Sequence, residues 1–286
     1  MRPDDWYVTE HLDGFLSRAG GFLRSRPDLH TVHLSVTEML RTRGPRTYGD
    51  EPPLFGVLEQ DGEVRATYFR TPPYRLNVTP LTPAEADSLA AHLAALGHPQ
   101  PGIIGTRDTA DAFIAAWHRH TGAKATLRQR QRLYRLGMLT APSPAPEGRP
   151  RVADTGDREQ LIRWYGEFLG AIGDHAAADA ATWADARISY GGLTFWETPD
   201  GTPVSMAGVT PAVAGQVRVA PVYTPAHLRG RGYAGAVTAE VSRSVLTSGI
   251  REVLIFTDLS NPTSNGLYRR IGYRAVADFA VYDLST

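Results

Sequence analysis

The stretch VYTPAHLRGRGYAGAV, residues 222–237, decides the fold class of the C-terminal half of this chain. A run of β-forming residues leads into a short turn, and small residues then punctuate the start of an amphipathic helix. Gly230, Gly232 and Ala234 let the backbone turn sharply and let a ligand approach it closely. Because the first amides of a helix have no partner within the helix, the stretch predicts an anion site between a strand and a helix.

Two other phosphate-binding motifs fit this stretch less well. A Walker motif needs a lysine beside its glycine loop, and the one lysine of the chain, Lys124, lies in the other half. The dinucleotide fingerprint Gly-x-Gly-x-x-Gly is matched in letters as far as Gly235, but the elements before it indicate an antiparallel meander. The acidic residue that the fingerprint needs is misplaced too, since Asp258 follows the next strand rather than lying at its tip.

The composition is that of a soluble protein with two domains. A length of 286 residues is long for one domain and short for three. Thirty basic and thirty acidic residues leave no net charge, which argues against nucleic-acid binding. The absence of cysteine excludes disulfides, thiolate metal sites and cysteine nucleophiles, and it fits the cytoplasmic location that we expect. No segment resembles a secretory signal or reaches the roughly 20 apolar residues of a membrane span, so we expect no membrane partner.

The proline-rich segment APSPAPEGRP, residues 141–150, predicts an extended, unpaired linker between domains 1–140 and 151–286. Short matches recur between the two halves in the same order, at a shift of roughly 140 to 150 residues. They pair Asp61-Gly62 with Asp200-Gly201, Thr82-Pro83-Ala84 with Thr224-Pro225-Ala226, and Trp117-His118-Arg119 with Leu267-Tyr268-Arg269. The order favours a duplicated domain, with an unrelated α/β domain as the open alternative.

Periodicity in the C-terminal half predicts two helices, three strands, a helix, a strand, a helix and a strand. The predicted helices are 157–172, 180–188, 233–246 and 262–271, and the predicted strands are 193–197, 204–209, 216–224, 252–257 and 273–284. Gly249 and Gly272 are placed to end the last two helices.

A second informative stretch, FTDLSNPTSNGLYRRIGY, covers residues 256–273. Asn261 and Pro262 are typical of a helix N-cap and first helical position, which explains both residues structurally. At 3.6 residues per turn, Ser264 and Tyr268 fall on one face of this helix, which can look back toward the anion site. A packed core aromatic is the alternative interpretation of Tyr268.

Together these residues resemble the GNAT (GCN5-related) N-acetyltransferase superfamily. The signature Arg-x-x-Gly-x-Ala begins at Arg229, and a strand, Asn261-Pro262, Tyr268 and Gly272-Tyr273 follow it in order. The sequence is similar to the FR47-like group of bacterial acetyltransferases over residues 154–284. The resemblance implies an α/β (α+β) fold of two tandem GNAT-like domains, each a mixed, mostly antiparallel sheet flanked by helices.

The N-terminal domain departs from this pattern at the position of the anion site. There the sequence reads LTPAEADSL, which has no glycine and introduces Glu85 and Asp87. We therefore expect a degenerate N-terminal domain that has lost diphosphate binding.

The resemblance also implies acetyl-CoA as cofactor and a role for each matching residue. Tyr268 would be the acid that protonates the departing thiolate, and the Val222 amide would polarise the thioester carbonyl. The pantetheine arm would contact Val222, Tyr223 and Thr224. The diphosphate would bind the amides of Arg229, Gly230, Arg231, Gly232, Tyr233 and Ala234. Three residues at or near the second helix would also contact the cofactor: Asn261, Ser264 and Tyr268. A neutral amine would attack directly, without an enzyme-bound intermediate.

The residue that removes the amine proton is left open by the sequence. Glu197 and Asp258 are candidates, ordinary surface acids are the alternative for both, and a water chain would serve equally well. We expect no metal site, because several polar residues lack the company of zinc ligands: His118, His120 and the pair Asp174-His175.

These features predict an N-acetyltransferase that moves an acetyl group from acetyl-CoA to a primary amine of a small molecule or peptide. Two alternatives stay open: a non-catalytic acetyl-CoA sensor or scaffold, and a tandem acetyltransferase similar to mycothiol synthase. The acceptor is expected to meet segments 164–188 and 190–196 and the N-terminal domain. Both a monomer and a homodimer fit the sequence.

Overall fold

A computed structural model describes residues 5–97, 100–172 and 179–285. Within them the chain forms eight α-helices and twelve β-strands. The helices are α1 (Leu12–Ser25), α2 (Thr31–Arg43), α3 (Pro83–Leu96), α4 (Arg107–Thr121), α5 (Arg158–Ala171), α6 (Ala180–Ile188), α7 (Tyr233–Thr247) and α8 (Pro262–Arg270). The strands are β1 (Trp6–Thr9), β2 (Leu54–Gln60), β3 (Glu63–Arg70), β4 (Leu76–Val78), β5 (Gly102–Thr106), β6 (Lys124–Leu136), β7 (Arg149–Val152), β8 (Leu193–Glu197), β9 (Pro203–Val209), β10 (Gln216–Tyr223), β11 (Glu252–Asp258) and β12 (Tyr273–Ser285).

The chain divides into two compact units. Unit 1 comprises Met1–Leu133, Thr257–Asn261 and Ala275–Thr286, and unit 2 comprises Tyr134–Phe256 and Pro262–Arg274. These bounds differ from the predicted domains, because β12 begins in unit 2 and continues in unit 1, while β6 does the reverse. The last strand of the chain therefore contributes to the unit built from the first half.

Unit 1 contains a mixed sheet with strand order β1-β2-β3-β4-β5-β12. Neighbours are antiparallel except for β4 and β5, which run parallel with Leu76 opposite Ile103. The β2–β3 turn is made by Asp61 and Gly62, both with positive φ. Alternating apolar residues on the strands pack against α3 and α4 around a core that includes Tyr68, Leu89 and Phe113.

Unit 2 repeats this arrangement with strand order β7-β8-β9-β10-β11. Its strands are antiparallel except for β10 and β11, which run parallel with Gln216 opposite Glu252. Both halves of the chain have the element order β-α-α-β-β-β-α-β-α-β, as the predicted duplication requires. The mixed, mostly antiparallel α/β fold is confirmed, and each predicted element of the C-terminal half is present within about two residues of its predicted bounds.

The predicted linker is wrong at its C-terminal end. Arg149 and Pro150 belong to β7, where they lie opposite Glu197 and Trp196 of β8. Proline is tolerated there because β7 is an edge strand, where one side of the backbone needs no ladder partner. Across the part of the chain that the structure describes, no helix is both long and apolar enough to cross a bilayer.

Candidate functional site

The carboxyl end of β10 separates from the strand beside it. Parallel pairing with β11 runs from Gln216 to Val219, and within the described residues the next four positions, 220–223, have no β11 partner. On its other side β10 stays paired with β9, where Val222 lies opposite Ala207, after a bulge that follows Val219. The freed edge leaves main-chain groups available to a ligand strand, as an open sheet edge does.

The loop that follows β10 leads directly into α7. After a short 3-10 turn, Ala226–Leu228, the backbone passes through Gly230 and Gly232, with φ of +78° and +85°. No atom lies within 4 Å of the point where a Cβ on Gly230 would stand, so this face of the loop is open. Arg229 is held beside the loop, since its Nε donates to the carbonyl oxygen of Thr224 at 3.0 Å.

Among the residues that the structure describes, no side chain caps the amino end of α7. Gly232 is the N-cap residue, and its carbonyl accepts from Ala236 at 3.1 Å, but it has no side chain to bind the first-turn amides. Those amides and the positive end of the helix dipole therefore stay available to an anion. A carboxylate or phosphate at this point would replace the missing cap.

The equivalent helix of unit 1 has the opposite construction. At α3 the Thr82 side chain accepts from the Glu85 amide at 3.3 Å, and the Glu85 carboxylate accepts from the Thr82 amide at 2.7 Å. This capping box fills the anion position with the protein's own carboxylate. Asp87 is engaged as well, by Arg119 at 2.7 Å and His120 at 3.2 Å.

Two hydrophobic clusters flank β10 in unit 2. The α7 cluster includes Val237, Val241, Ile255, Tyr268 and Tyr273, and Val222 packs against it. The α5 cluster includes Leu161, Trp164, Phe195, Met206 and Tyr223. Consecutive residues of a strand point to opposite faces, so β10 presents Val222 to one cluster and Tyr223 to the other.

Tyr268 projects from α8 into the α7 cluster. Its side chain is 7% exposed and makes an edge contact with Tyr273, whose ring centre is 6.1 Å away. Burial raises the pKa of the Tyr268 hydroxyl well above its ordinary value, so it keeps its proton at neutral pH. The neighbouring Tyr273 hydroxyl is 2.8 Å from Ser242, and burial raises its pKa as well.

On the other face of β10, unit 2 contains a cavity of about 500 Å³. Its walls include Trp164 and Glu167 of α5, Val204 of β9 and Tyr223 of β10. The Tyr223 hydroxyl donates to the Glu167 carboxylate at 2.6 Å. Burial, and then this carboxylate, raise the pKa of Tyr223 to about 12.

Comparisons with known proteins agree with this geometry. Residues 214–281 match the model of the FR47-like protein family. No curated protein matches the chain significantly. A GCN5-related N-acetyltransferase from Sphaerobacter thermophilus is 19% identical, with a TM-score of 0.64 over 99% of this chain and 96% of that chain.

Two further solved structures have the same fold over almost their whole length. An acetyltransferase of the GNAT family from Colwellia psychrerythraea is 10% identical, with a TM-score of 0.60 and 98% of each chain covered. A tandem GNAT protein from the clavulanic acid biosynthesis pathway is 13% identical, with a TM-score of 0.56 and 98% of each chain covered.

This chain has the fold of GNAT acetyltransferases, and its residues 214–281 are similar to the FR47-like family. The structural match to the tandem protein extends over both halves of this chain.

The two candidate bases, Glu197 and Asp258, are both engaged by other side chains. Glu197 is buried and pairs with Arg151 at 2.5 Å, and Arg151 also holds Asp157. Asp258, in unit 1, accepts from Gln129 at 2.9 Å and from the amide and hydroxyl of Ser260 at 2.7 Å. Burial of Asp258 acts to raise its pKa, but these hydrogen bonds outweigh it and lower the pKa. Both carboxylates are therefore suited to structural roles.

The remaining predicted residues have varied surroundings. Arg231 is exposed, and its guanidinium lies 3.4 Å from the His227 carbonyl oxygen. Ser264 lies on α8 with Tyr268, while Asn261 falls in unit 1, where its amide donates to the Asp258 carbonyl. Asp174 and His175 lie outside the described residues. Within the described ranges, no three acidic or histidine side chains gather as a metal site would require.

A proline-rich segment, residues 137–147, borders the anion site and is called the proline strap below. Gly137 and Thr140 donate to carbonyl oxygens at the end of α8, and the Glu147 carbonyl accepts from the Trp196 indole at 3.1 Å. Between these anchors Pro146 lies about 3.8 Å from the position of a Cβ on Gly232. Sequence reasoning identified this segment as a linker and missed both the strap and Glu167, because each depends on contacts between distant residues.

Proposed function

We propose that this protein is an N-acetyltransferase of the GNAT superfamily that moves an acetyl group from acetyl-CoA to a primary amine. One observation carries the proposal: the end of β10 that has no β11 partner among the described residues, 220–223, leads directly to the amino end of α7, which has no side-chain cap. A long ligand with an extended arm and a diphosphate matches that combination. Coenzyme A has both parts.

The loop before α7 fits the diphosphate of coenzyme A. A Cβ built on Gly230 would occupy open space, and one built on Gly232 would meet only the Pro146 ring, at ordinary contact distance. A ligand can therefore approach the backbone at both glycines. The α7 amides would supply hydrogen bonds, and Arg229, which the Thr224 carbonyl holds beside the loop, would supply charge. The free edge of β10 at Val222 would bind the pantetheine arm.

Tyr268 has the properties of the acid that the reaction needs. Its hydroxyl is buried in the α7 cluster, so it stays protonated at neutral pH and holds a proton for a departing thiolate. A thiolate leaving in this apolar setting would be strongly basic, because burial disfavours its charge. The amide of Val222, on the free edge of β10, would polarise the carbonyl.

The proposed reaction needs no covalent enzyme intermediate. The amine nitrogen forms a bond to the acyl carbon, the carbon–sulfur bond breaks, and its electron pair leaves on sulfur. Tyr268 gives its proton to that sulfur, and the proton of the amine passes to a base. The chain has no cysteine that could carry the acyl group.

Unit 1 has a different role in this proposal. Its α3 terminus is closed by the Thr82–Glu85 capping box, and phosphate would have to displace a carboxylate there. We propose a single cofactor site per chain, in unit 2.

The test combines binding with turnover. Calorimetry with coenzyme A should give one site per chain, and a thiol-release assay with acetyl-CoA should detect turnover on a panel of amines, amino acids and peptides. Binding without turnover on any acceptor would favour a sensor, and a binding stoichiometry of zero would remove the proposal altogether.

A further inference from the structure

The cavity beside β10 opens on the face that the proposed cofactor does not use. Tyr223, which lines it, belongs to the α5 cluster, whereas Tyr268 belongs to the α7 cluster. A volume of about 500 Å³ lies within the range typical of small-molecule sites. The cavity therefore suits a second small ligand, separate from the acyl donor.

Most of the cavity wall is apolar and partly aromatic. Trp164 and Tyr223 meet edge to face, with their ring planes 62° apart and their ring centres 5.9 Å apart, and Val204 and Leu228 also lie on the apolar side. Such walls favour a ligand with a flat or branched apolar body, because its burial releases water from both surfaces.

Two oppositely charged side chains line the same cavity. Arg163 and Glu167 are four residues apart on α5 and so lie on one helix face. The Glu167 carboxylate is positioned by the Tyr223 hydroxyl at 2.6 Å. A ligand with an amine and an acidic group could pair with both charges at once.

Resting on the proposed function, we propose that this cavity binds the acetyl acceptor, and that the acceptor is an apolar primary amine that also carries a carboxylate. Glu167 binds the amine as its ammonium form, and Arg163 binds the carboxylate. The class includes apolar α-amino acids, and amines that lack an anionic group are expected to be poorer acceptors.

Glu167 then also serves as the proton acceptor for the reaction. The ammonium first gives one proton to the Glu167 carboxylate, because only the neutral nitrogen has the electron pair that bonds to the acyl carbon. As the carbon–sulfur bond breaks, the sulfur receives a proton from Tyr268. The second nitrogen proton leaves to water, and water returns a proton to Tyr268. The Tyr223 hydroxyl bond fixes the direction of the carboxylate, so Tyr223 acts as a positioning residue.

Matched substrates test the carboxylate site. Phenylalanine and phenethylamine differ by the carboxylate alone, and wild-type kcat/KM should be at least about tenfold higher for phenylalanine, the worth of one charge-assisted pair. Arg163→Gln should reduce that ratio by about tenfold while leaving phenethylamine unchanged. Arg158→Gln is the control, because Arg158 lies on the same helix but pairs with Asp185. A wild-type preference for phenethylamine, or a ratio unchanged in Arg163→Gln, would overturn the inference.

A second variant tests the proton acceptor. Glu167→Gln should lower kcat for phenylalanine, and the exposed Glu159→Gln on the same helix should leave kcat unchanged. Calorimetry of phenylalanine with the wild type and both variants should show weaker binding in Glu167→Gln alone.

The same measurements separate this inference from the proposed function. If other amines are acetylated but this class is neither bound nor acetylated, the acceptor class is wrong and the acetyltransferase stands. If coenzyme A binds and no amine is acetylated, the enzyme proposal fails. If phenylalanine still binds the wild type but does not bind Glu167→Gln, the cavity would remain the binding site for this class of amine.

Discussion

Val222 and Tyr223 are neighbours on β10, yet Val222 packs against the α7 cluster and Tyr223 lies in the α5 cluster. Because successive side chains of a strand point to opposite faces, two neighbouring residues of β10 reach two different chemical environments. The Tyr268 hydroxyl belongs to one environment and the Tyr223–Glu167 pair to the other. In the proposed reaction the acid for sulfur and the base for the amine stand on opposite faces of the same strand, so the two proton transfers take place on opposite sides of β10.

Tyr268→Phe should lower kcat by about 100-fold or more, because it removes the proposed acid. The affinity for coenzyme A, measured by calorimetry, should stay within about twofold. Tyr273→Phe is the matched control, since it removes a buried hydroxyl bound to Ser242 in the same cluster. That control should lose about 1 kcal/mol of stability and keep its turnover. Equal turnover in Tyr268→Phe and the wild type would exclude Tyr268 as the acid.

Gly232→Glu should reduce coenzyme A affinity by at least about 100-fold, because a carboxylate would occupy the diphosphate position. Gly201→Glu provides the control: Gly201 has a φ of +86° against +85° for Gly232, and a Cβ there has open space. Both variants should therefore carry similar backbone strain, and the control alone should bind coenzyme A as the wild type does. Undiminished binding in Gly232→Glu would mean that the diphosphate lies elsewhere.

Arg151→Gln should destabilise the protein by about 3 kcal/mol at pH 7, because it leaves the Glu197 carboxylate buried without its partner. That carboxylate is 4% exposed. Arg243→Gln, which removes an exposed pair with Glu240, should cost less than about 1 kcal/mol. Urea unfolding at fixed pH would measure both.

The same network predicts a pH dependence of stability. Arg151 holds the pKa of Asp157 below its ordinary value of 3.8, and burial opposes this only in part. The folded-state pKa is thus lower than the unfolded one, so the stabilisation is complete above pH 3.8 and disappears as the pH falls through the folded-state pKa. The difference in free energy of unfolding between the wild type and Arg151→Gln should become smaller below that pH. A constant gap down to pH 2 would contradict this account of Asp157.

Gly272→Ala should destabilise unit 2 more than Gly249→Ala, although both glycines end helices with positive φ, +106° and +91°. A Cβ on Gly249 meets nothing within 4 Å, whereas on Gly272 it would stand 2.0 Å from the Met138 carbonyl oxygen of the proline strap. We expect a loss of about 1 kcal/mol from backbone strain in Gly249→Ala. The clash should add about 2 kcal/mol in Gly272→Ala. Equal urea midpoints for the two variants would show that the strap moves aside freely.

The sequence predicted the elements of the C-terminal half closely because their signals are local. Helical spacing indicated α5, and Asn261-Pro262 with Gly272 bounded α8. The anion site was readable for the same reason, since Gly230, Gly232 and the following helix are contiguous in the chain. The strand β7 was missed because Arg149 and Pro150 form it by pairing with β8, almost 50 residues away, and proline by itself argues against a strand.

By itself, then, the sequence determined the order of the elements, the GNAT resemblance and the glycine-lined start of α7, because each is encoded by residues next to one another. Only the tertiary structure decided that β12 belongs to unit 1, that Arg151 engages Glu197, and that the Tyr223 hydroxyl directs Glu167 into a cavity. Those outcomes depend on which distant side chains meet when the strands pair and the helices pack. No local sequence pattern predicts these contacts, because they depend on the free energy of the whole folded chain.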